Sequence, residues 1–533
     1  MIRNLSVVLA LALSGTALSA PILSDPADAK PFRWARGQDA PTLDPHTENS
    51  NQVFGLLHQI YEPLIHRDQD GKIVPALALS WGLLPTDAKT WQFKLRPGVK
   101  FHSGDAFSAD DVVFSLKRAM DPLAGVRTTL AGVIDVVKVD DLTVHVKTQE
   151  PMPLLVNQLT NIFMMSQKWA EANKVTRPQD FKNKEETFAV RNANGTGPYI
   201  LVSREPDSKT VMKLNEGYWG KGQFPLQATE VVYSVITSAP TRIAALLSGE
   251  LDFVQDMPVQ DIDRVAQTAN LKVNTGPEVR SIFYGLNAGD PELASSDVKG
   301  KNPFADKRVR KAIEMAINRE AIQKVVMGGQ SAPSGTLIPP GVNGYSKELD
   351  QYPKWDIAKA KALMAEAGYA GGFGVKLNCP NNRYINDEKI CQATVGFLGQ
   401  IGIKVTLDAR PMAQHTPTIL KNETDFYMLG WGVASFDAAY TLDSIYHSRD
   451  KVYGAYNATR VVEPDWDKKM EALGTETDTA KRDKLLAEIL AHVKDEALFI
   501  PIHNQLLAWG MKKGIEVKVQ PENQLYVKYV KID

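Results

Sequence analysis

Cysteine is nearly absent from the 533 residues: only Cys379 and Cys391 occur. Two thiols cannot build a disulfide scaffold, and neither has the paired spacing of a zinc site. In an oxidising compartment they form one disulfide closing a small loop, or else stay as two buried thiols; the compartment favours the bridge. A surplus of charge is also missing. Sixty-one basic residues face 62 acidic ones, a formal net charge of −1, which argues against nucleic acid or anionic lipid as the main partner because both select for Lys and Arg. Catalytic templates fail in turn. There is no Gly-x-Ser-x-Gly elbow and no His-Glu-x-x-His, and Gly300-Lys301 lacks the upstream glycine and the following Ser or Thr of a phosphate loop. The nine histidines are scattered singly, with no close pair at metal-ligand spacing. These absences exclude ATP hydrolysis by this chain, imply no cofactor, and leave a secreted hydrolase as only a distant alternative to a binding function.

Long apolar runs are missing except at the N-terminus. Met-Ile-Arg-Asn precedes the apolar and small stretch Leu5–Leu18 and then Ser19-Ala20-Pro21, the pattern of a secretory signal peptide. It spans residues 1–29, with cleavage near 19–29, after Ala17-Leu18-Ser19 or Ala27-Asp28-Ala29. The apolar part falls short of the roughly 20 residues needed to cross a bilayer. No cysteine stands near the cleavage region, so the expected product is exported and soluble, without a lipid anchor.

What is present reads as alternating strands and helices, an α/β architecture. Phe32–Ala35 is a short strand, and Asn51–Tyr61 carries Val53, Leu56, Leu57 and Ile60 at helical spacing. Trp91, Phe93 and Leu95 alternate with polar residues up to the Pro97-Gly98 turn, a half-buried strand. Ser108-Ala109-Asp110-Asp111 caps a helix over Val112–Ala119. Further helices follow Asp306-Lys307-Arg308, cover Ile357–Gly368 and cover Asp478–Lys494, while Val375–Leu377 and Lys404–Leu407 read as strands around a helix near Ile390–Gly399.

One stretch suggests a ligand. Phe426–Leu429 reads as a strand buried on both faces, and it breaks into Gly430-Trp431-Gly432. Two glycines allow close approach, and the ring between them can stack on a ligand or simply fill a core. The expected arrangement is a two-lobed clamp with this stretch lining the gap. Pro380–Asp387 is a polar loop between a strand and a helix, where Arg383 can fork onto a carboxylate beside Tyr384. Asn386 or Asp387 can equally be only the cap of the next helix.

Several motifs in one order resemble the family 5 extracellular solute-binding proteins, the large periplasmic receptors of ABC importers for dipeptides, oligopeptides, nickel chelates and opines. The run Trp91 to Asp121 carries the densest match, with Phe101-His102-Ser103-Gly104 and Ala109–Ser115. Asn194–Tyr199, Gly217-Tyr218-Trp219, Leu337–Pro340 and Gly430-Trp431 extend it over nearly the whole chain. The resemblance implies a periplasmic-binding-protein type II fold: two lobes joined by a hinge, with an additional inserted domain. Lobe I would comprise 30–69, 197–286 and 501–533, the inserted domain 70–196 and lobe II 287–500, with crossings at Leu286-Asn287 and Ile500-Pro501. It further implies a monomer that captures a peptide or peptide-like solute and delivers it to an inner-membrane ABC permease and its ATPase. Gly430, Trp431, Arg383 and Tyr384 would contact the ligand. Peptide-binding members commonly place an aspartate three residues after the tryptophan, to pair with an α-amino group; here Ala434 stands there. Asp437 is the acidic alternative for an ammonium, or else a helix cap. His447 lies where nickel-chelate receptors can supply a histidine, or else is a solvated residue at a helix end. A nickel-chelate or opine receptor on the same fold is the alternative reading.

Overall fold

The structure is a computed structural model that describes residues 30–533, and the expected signal peptide lies outside the described residues. Two long strands, Leu271–Leu286 and Phe499–Lys512, run antiparallel through the centre of an eleven-stranded mixed sheet. On one side the sheet continues through Phe253–Val254, Pro31–Arg36, Glu230–Val235, Lys209–Leu214 and Tyr199–Glu205. On the other it continues through Phe426–Gly432, Phe373–Pro380 and Ile403–Arg410. The ladder slips between Pro277 and Ser281, as expected where a proline supplies no N–H.

The hydrophobic cores change along these two strands. Trp509 and Met511 pack in one core with Phe32, Trp34 and Phe253. Ile282, Tyr284, Leu286, Ile500 and Ile502 pack in another with Val309, Ile313, Leu377 and Phe426. A third core, around Tyr427, Leu429, Ile489 and Phe499, lies on the opposite face of the same sheet. A second slip lies between Ile282 and Phe283, and the change of core along the two strands falls near these two irregularities.

A separate four-stranded sheet, ordered Ala78–Leu84, Asp87–Leu95, Thr143–Thr148 and Val133–Asp140, carries the alternation read at Trp91, Phe93 and Leu95. Its apolar face joins the first lobe's core. Helix Ala109–Ala119 leans on it, and its capping box is complete: the Asp110 amide donates to Ser108 Oγ at 3.3 Å and the Ser108 amide to Asp111 Oδ2 at 3.0 Å. From this helix Arg118 reaches Asp44 with two bonds, of 2.8 and 2.6 Å, and also donates to His46 Nδ1 at 2.9 Å. This buried fork ties the segment after the first strand to the inserted sheet. Helices Lys307–Ala316, Ile357–Glu366 and Thr479–Glu496 begin at the aspartates 306, 356 and 478, each accepting from a backbone amide of the first turn.

Candidate functional site

Strand Phe426–Gly432 is paired along one edge with Leu271–Leu286, in a register that sets Trp431 opposite Ser281 and Gly432 opposite Arg280. Its other edge meets strand Phe373–Pro380 only at Tyr427. Residues 428–432 thus have no strand partner on that side among the described residues. Two side chains occupy part of this edge: the His415 ring bonds the Met428 carbonyl at 2.8 Å, and the Tyr384 hydroxyl donates to the Gly430 carbonyl at 3.0 Å.

Gly430 is required by packing. A Cβ there would lie 2.6 Å from both Ile282 Cδ1 and Tyr384 Cε1. Trp431, on the other face, stacks on Tyr440 with centroids 5.4 Å apart and meets Tyr456 at 5.1 Å. Its Nε1 is buried with no acceptor, an orphan donor in a wall of three rings.

The loop carrying Arg383 and Tyr384 is pinned at both ends, because Cys379 and Cys391 are joined in a disulfide. Asp387 Oδ2 accepts from the amides of Arg383 and Tyr384 at 2.9 and 3.0 Å, so it braces the loop. Asn386 precedes the helix in a left-handed conformation and makes no side-chain cap bond. Arg383 is exposed, its guanidinium 5.5 Å from the Tyr384 ring centroid.

Asp437 takes the cap alternative, and His447 is placed otherwise than expected. Asp437 is only 2% exposed; Arg482 grips both its oxygens at 2.7 and 2.8 Å, while Asn343 and the Ala439 amide take the remaining lone pairs. Its carboxylate caps helix Ala438–Thr441 and forms a buried ion pair with Arg482. His447 is 3% exposed rather than solvated, stacked on Tyr453 at 4.4 Å with Nδ1 on the Ser448 carbonyl at 2.7 Å. Among the described residues its Nε2 is buried without a hydrogen-bond partner, and no three His, Cys, Asp or Glu side chains are grouped to hold a metal ion.

Three features escaped the sequence. The Ser435 carbonyl accepts from Arg67 Nη2 at 3.1 Å and from Asn157 Nδ2 at 2.8 Å, both from the first lobe and its insert. Phe436 adopts a left-handed φ of 57° and places its ring 4.0 Å from the Arg67 guanidinium. Glycine is needed at position 71, where φ is +78° and a Cβ would sit 2.9 Å from that ring. This strap ties Arg67 and Asn157 to the segment that follows strand Phe426–Gly432. The third feature is a network on the hinge strands: Arg280 Nε donates to Glu278 Oε1 at 2.9 Å, and Gln505 Nε2 to Glu278 Oε2 at 2.6 Å. Partners hundreds of residues apart leave no local pattern, so only the strand alternation at 278 and 280 hints that they share a face. A cavity of about 790 Å³ lined by Thr47, Met120, Arg127 and Phe181 contains none of these groups.

Two lobes sharing a pair of long central strands give the fold of a binding protein of the clamp type. The chain belongs to the bacterial extracellular solute-binding proteins, family 5, whose model for the middle region matches residues 72–453. It is a solute-binding receptor and not an enzyme. It is 26% identical over 513 residues to the glutathione-binding protein GsiB of Salmonella paratyphi A, covering 95% of this chain and 94% of that one. The GsiB of Escherichia coli K12 is 25% identical over 494 residues, 91% of each chain. Among solved structures, HbpA2 from Haemophilus parasuis superposes with a TM-score of 0.81 at 23% identity, covering 95% and 100% of the two chains. A dipeptide-binding protein from Pseudoalteromonas sp. SM9913 in complex with Met-Leu gives 0.72 at 22%, with the same coverage. Among the described residues no helix is long and apolar enough to cross a membrane.

Proposed function

We propose that this receptor works in the periplasm as a monomer, captures a peptide or peptide-like solute between its lobes, and hands it to an inner-membrane ABC permease and its ATPase. The observation that carries the reading is the edge of residues 428–432, which no other strand pairs among the described residues and which His415 and Tyr384 cover only at the Met428 and Gly430 carbonyls. An extended peptide adds to such an edge through main-chain hydrogen bonds, and flanking pockets then choose its side chains. The relatives named for glutathione, itself a modified tripeptide, agree with a short ligand. The two lobes meet at 277–281 and 503–506 on this reading, where the packing changes core, with the inserted domain between 70 and 196.

The test is a thermal-shift screen with di- to pentapeptides, glutathione, opines and nickel–histidine. A ligand at 100 times its Kd adds about 2.7 kcal/mol of stability. The peptide reading falls if every peptide leaves the melting temperature unmoved while another solute raises it. Trp431→Ala should then weaken the best ligand by about 2 kcal/mol, as for a central anchor residue, measured by isothermal titration; an unchanged Kd would remove Trp431 from the site.

A further inference from the structure

Arg280, on the central strand Leu271–Leu286, leaves most of its hydrogen-bonding capacity unused. Its Nε is held by Glu278, which Gln505 holds in turn. Neither Nη group has a hydrogen-bond partner among the described residues. The side chain is 16% exposed, so the free end is reachable yet largely shielded from water. Its direction is set by Gly432, the residue opposite it in the ladder. A Cβ on Gly432 would lie 3.1 Å from Nη2, 3.4 Å from Cζ and 3.6 Å from Nη1. The guanidinium therefore lies across the bare backbone of Gly432, toward the strand edge that lacks a partner. Arg383, from the disulfide-pinned loop, also carries a guanidinium with no ion-pair partner among the described residues.

The acidic side of the site is spent. Position 434 is alanine, and Asp437 is consumed by Arg482, Asn343 and its helix. What remains uncommitted beside the open edge is cationic. Two Nη groups on one planar fork match the two oxygens of a carboxylate, and Glu278 on Nε leaves that fork aimed rather than neutralised edge to edge.

We propose that Arg280 anchors a carboxylate of the captured solute, gripping both oxygens above Gly432, so that this receptor selects ligands by an acid group and not by a free α-ammonium. The proposal rests on the reading of residues 428–432 as the ligand's seat. Glu278 and Gln505 are positioning residues in it, and Gly432 is the gap through which the guanidinium reaches.

Isothermal titration of the full receptor tests it with glutathione, trialanine and the opine octopine, each against its carboxylate ester or amide, and with N-acetyl-trialanine. The free acids should bind, blocking the carboxylates should cost at least tenfold in Kd, and N-acetylation should cost little. Arg280→Met should lose at least tenfold on an acid and nothing on its ester, with Arg280→Lys recovering part. Gly432→Ala keeps the charge but pushes the fork aside, and should lose affinity for the acid in the same sense; circular dichroism checks that each variant is folded. Esters or amides binding as well as acids, or folded Arg280→Met and Gly432→Ala variants both keeping wild-type Kd, would overturn the anchor. If no free acid binds but a neutral or cationic peptide does, the anchor falls while the peptide receptor stands. If no peptide of any charge binds, both fall.

Discussion

A methyl group at position 430 would have to share space with Ile282 Cδ1 and Tyr384 Cε1, both 2.6 Å away. Neither neighbour is free to leave: Ile282 is fully buried, and Tyr384 is held by its bond to the Gly430 carbonyl. Gly430→Ala should therefore cost about 1–3 kcal/mol by overpacking and shift Tyr384 off the strand edge. Urea unfolding and ligand titration on the same variant read the two effects, and a change in neither would show that the core accommodates the methyl. The Arg118–Asp44 fork makes an opposite kind of claim. Arg118→Met leaves a carboxylate with no guanidinium in a site where burial opposes its charge and the coulombic attraction and hydrogen bonds of Arg118 hold it low. Removing one partner of such a pair costs about 3–5 kcal/mol, measurable as a loss in the urea midpoint; less than 1 kcal/mol would mean that Asp44 finds water. Residue roles that depend on near neighbours were readable, as at Ser108 and Asp111. Asp437 was not, since Arg482, the partner that decides between cap and ligand contact, comes 45 residues later.

At the scale of elements, the helices were legible because their apolar period and capping aspartates are local, and the strand beginning at Phe426 because its run of buried residues is continuous. Where the chain crosses between lobes leaves no such local pattern, because it depends on which core each part of Leu271–Leu286 enters. The loop between Cys379 and Cys391 carries the element-scale prediction. The bridge spans a sequence separation of 12, and closing so short a loop is worth about 3 kcal/mol in chain entropy. It also joins the end of strand Phe373–Pro380 to helix Asp387–Gly399, so it holds the frame on which Arg383 and Tyr384 stand. Reduction by dithiothreitol, or Cys379→Ala with Cys391→Ala, should lower the melting temperature and weaken ligand binding together. Lower stability with unchanged affinity would separate the loop from the site.

Over the whole molecule, six histidines fold out of water with lowered pKa values. Burial, the largest cause in each case, lowers His46 and His58 to about 3, His102 and His503 to about 4, His66 well below its usual range, and His415 in the same direction. Unfolding returns each to about 6.5. Above pH 6.5 these rings are neutral in both states and contribute nothing to pH dependence. As pH falls through 6.5 toward 4, the unfolded chain takes up protons that the folded chain refuses, and stability falls. Some carboxyls oppose this. Burial raises Asp443 to about 7 and pushes Glu62, Glu522 and Asp111 upward, so these acids keep protons in the folded state that the unfolded chain releases. The histidines outnumber them in the window from 6.5 to 5, and the carboxylate of Asp44, which Arg118 holds below the usual range, adds a further loss only at more acid pH. The melting temperature of the ligand-free receptor should therefore drop between pH 7 and pH 5. Calorimetry at pH 5 in buffers of different ionisation enthalpy should show net proton uptake on unfolding. Net release there, or a melting temperature that stays level, would mean that the buried acids, and not the neutral histidines, govern the acid limb.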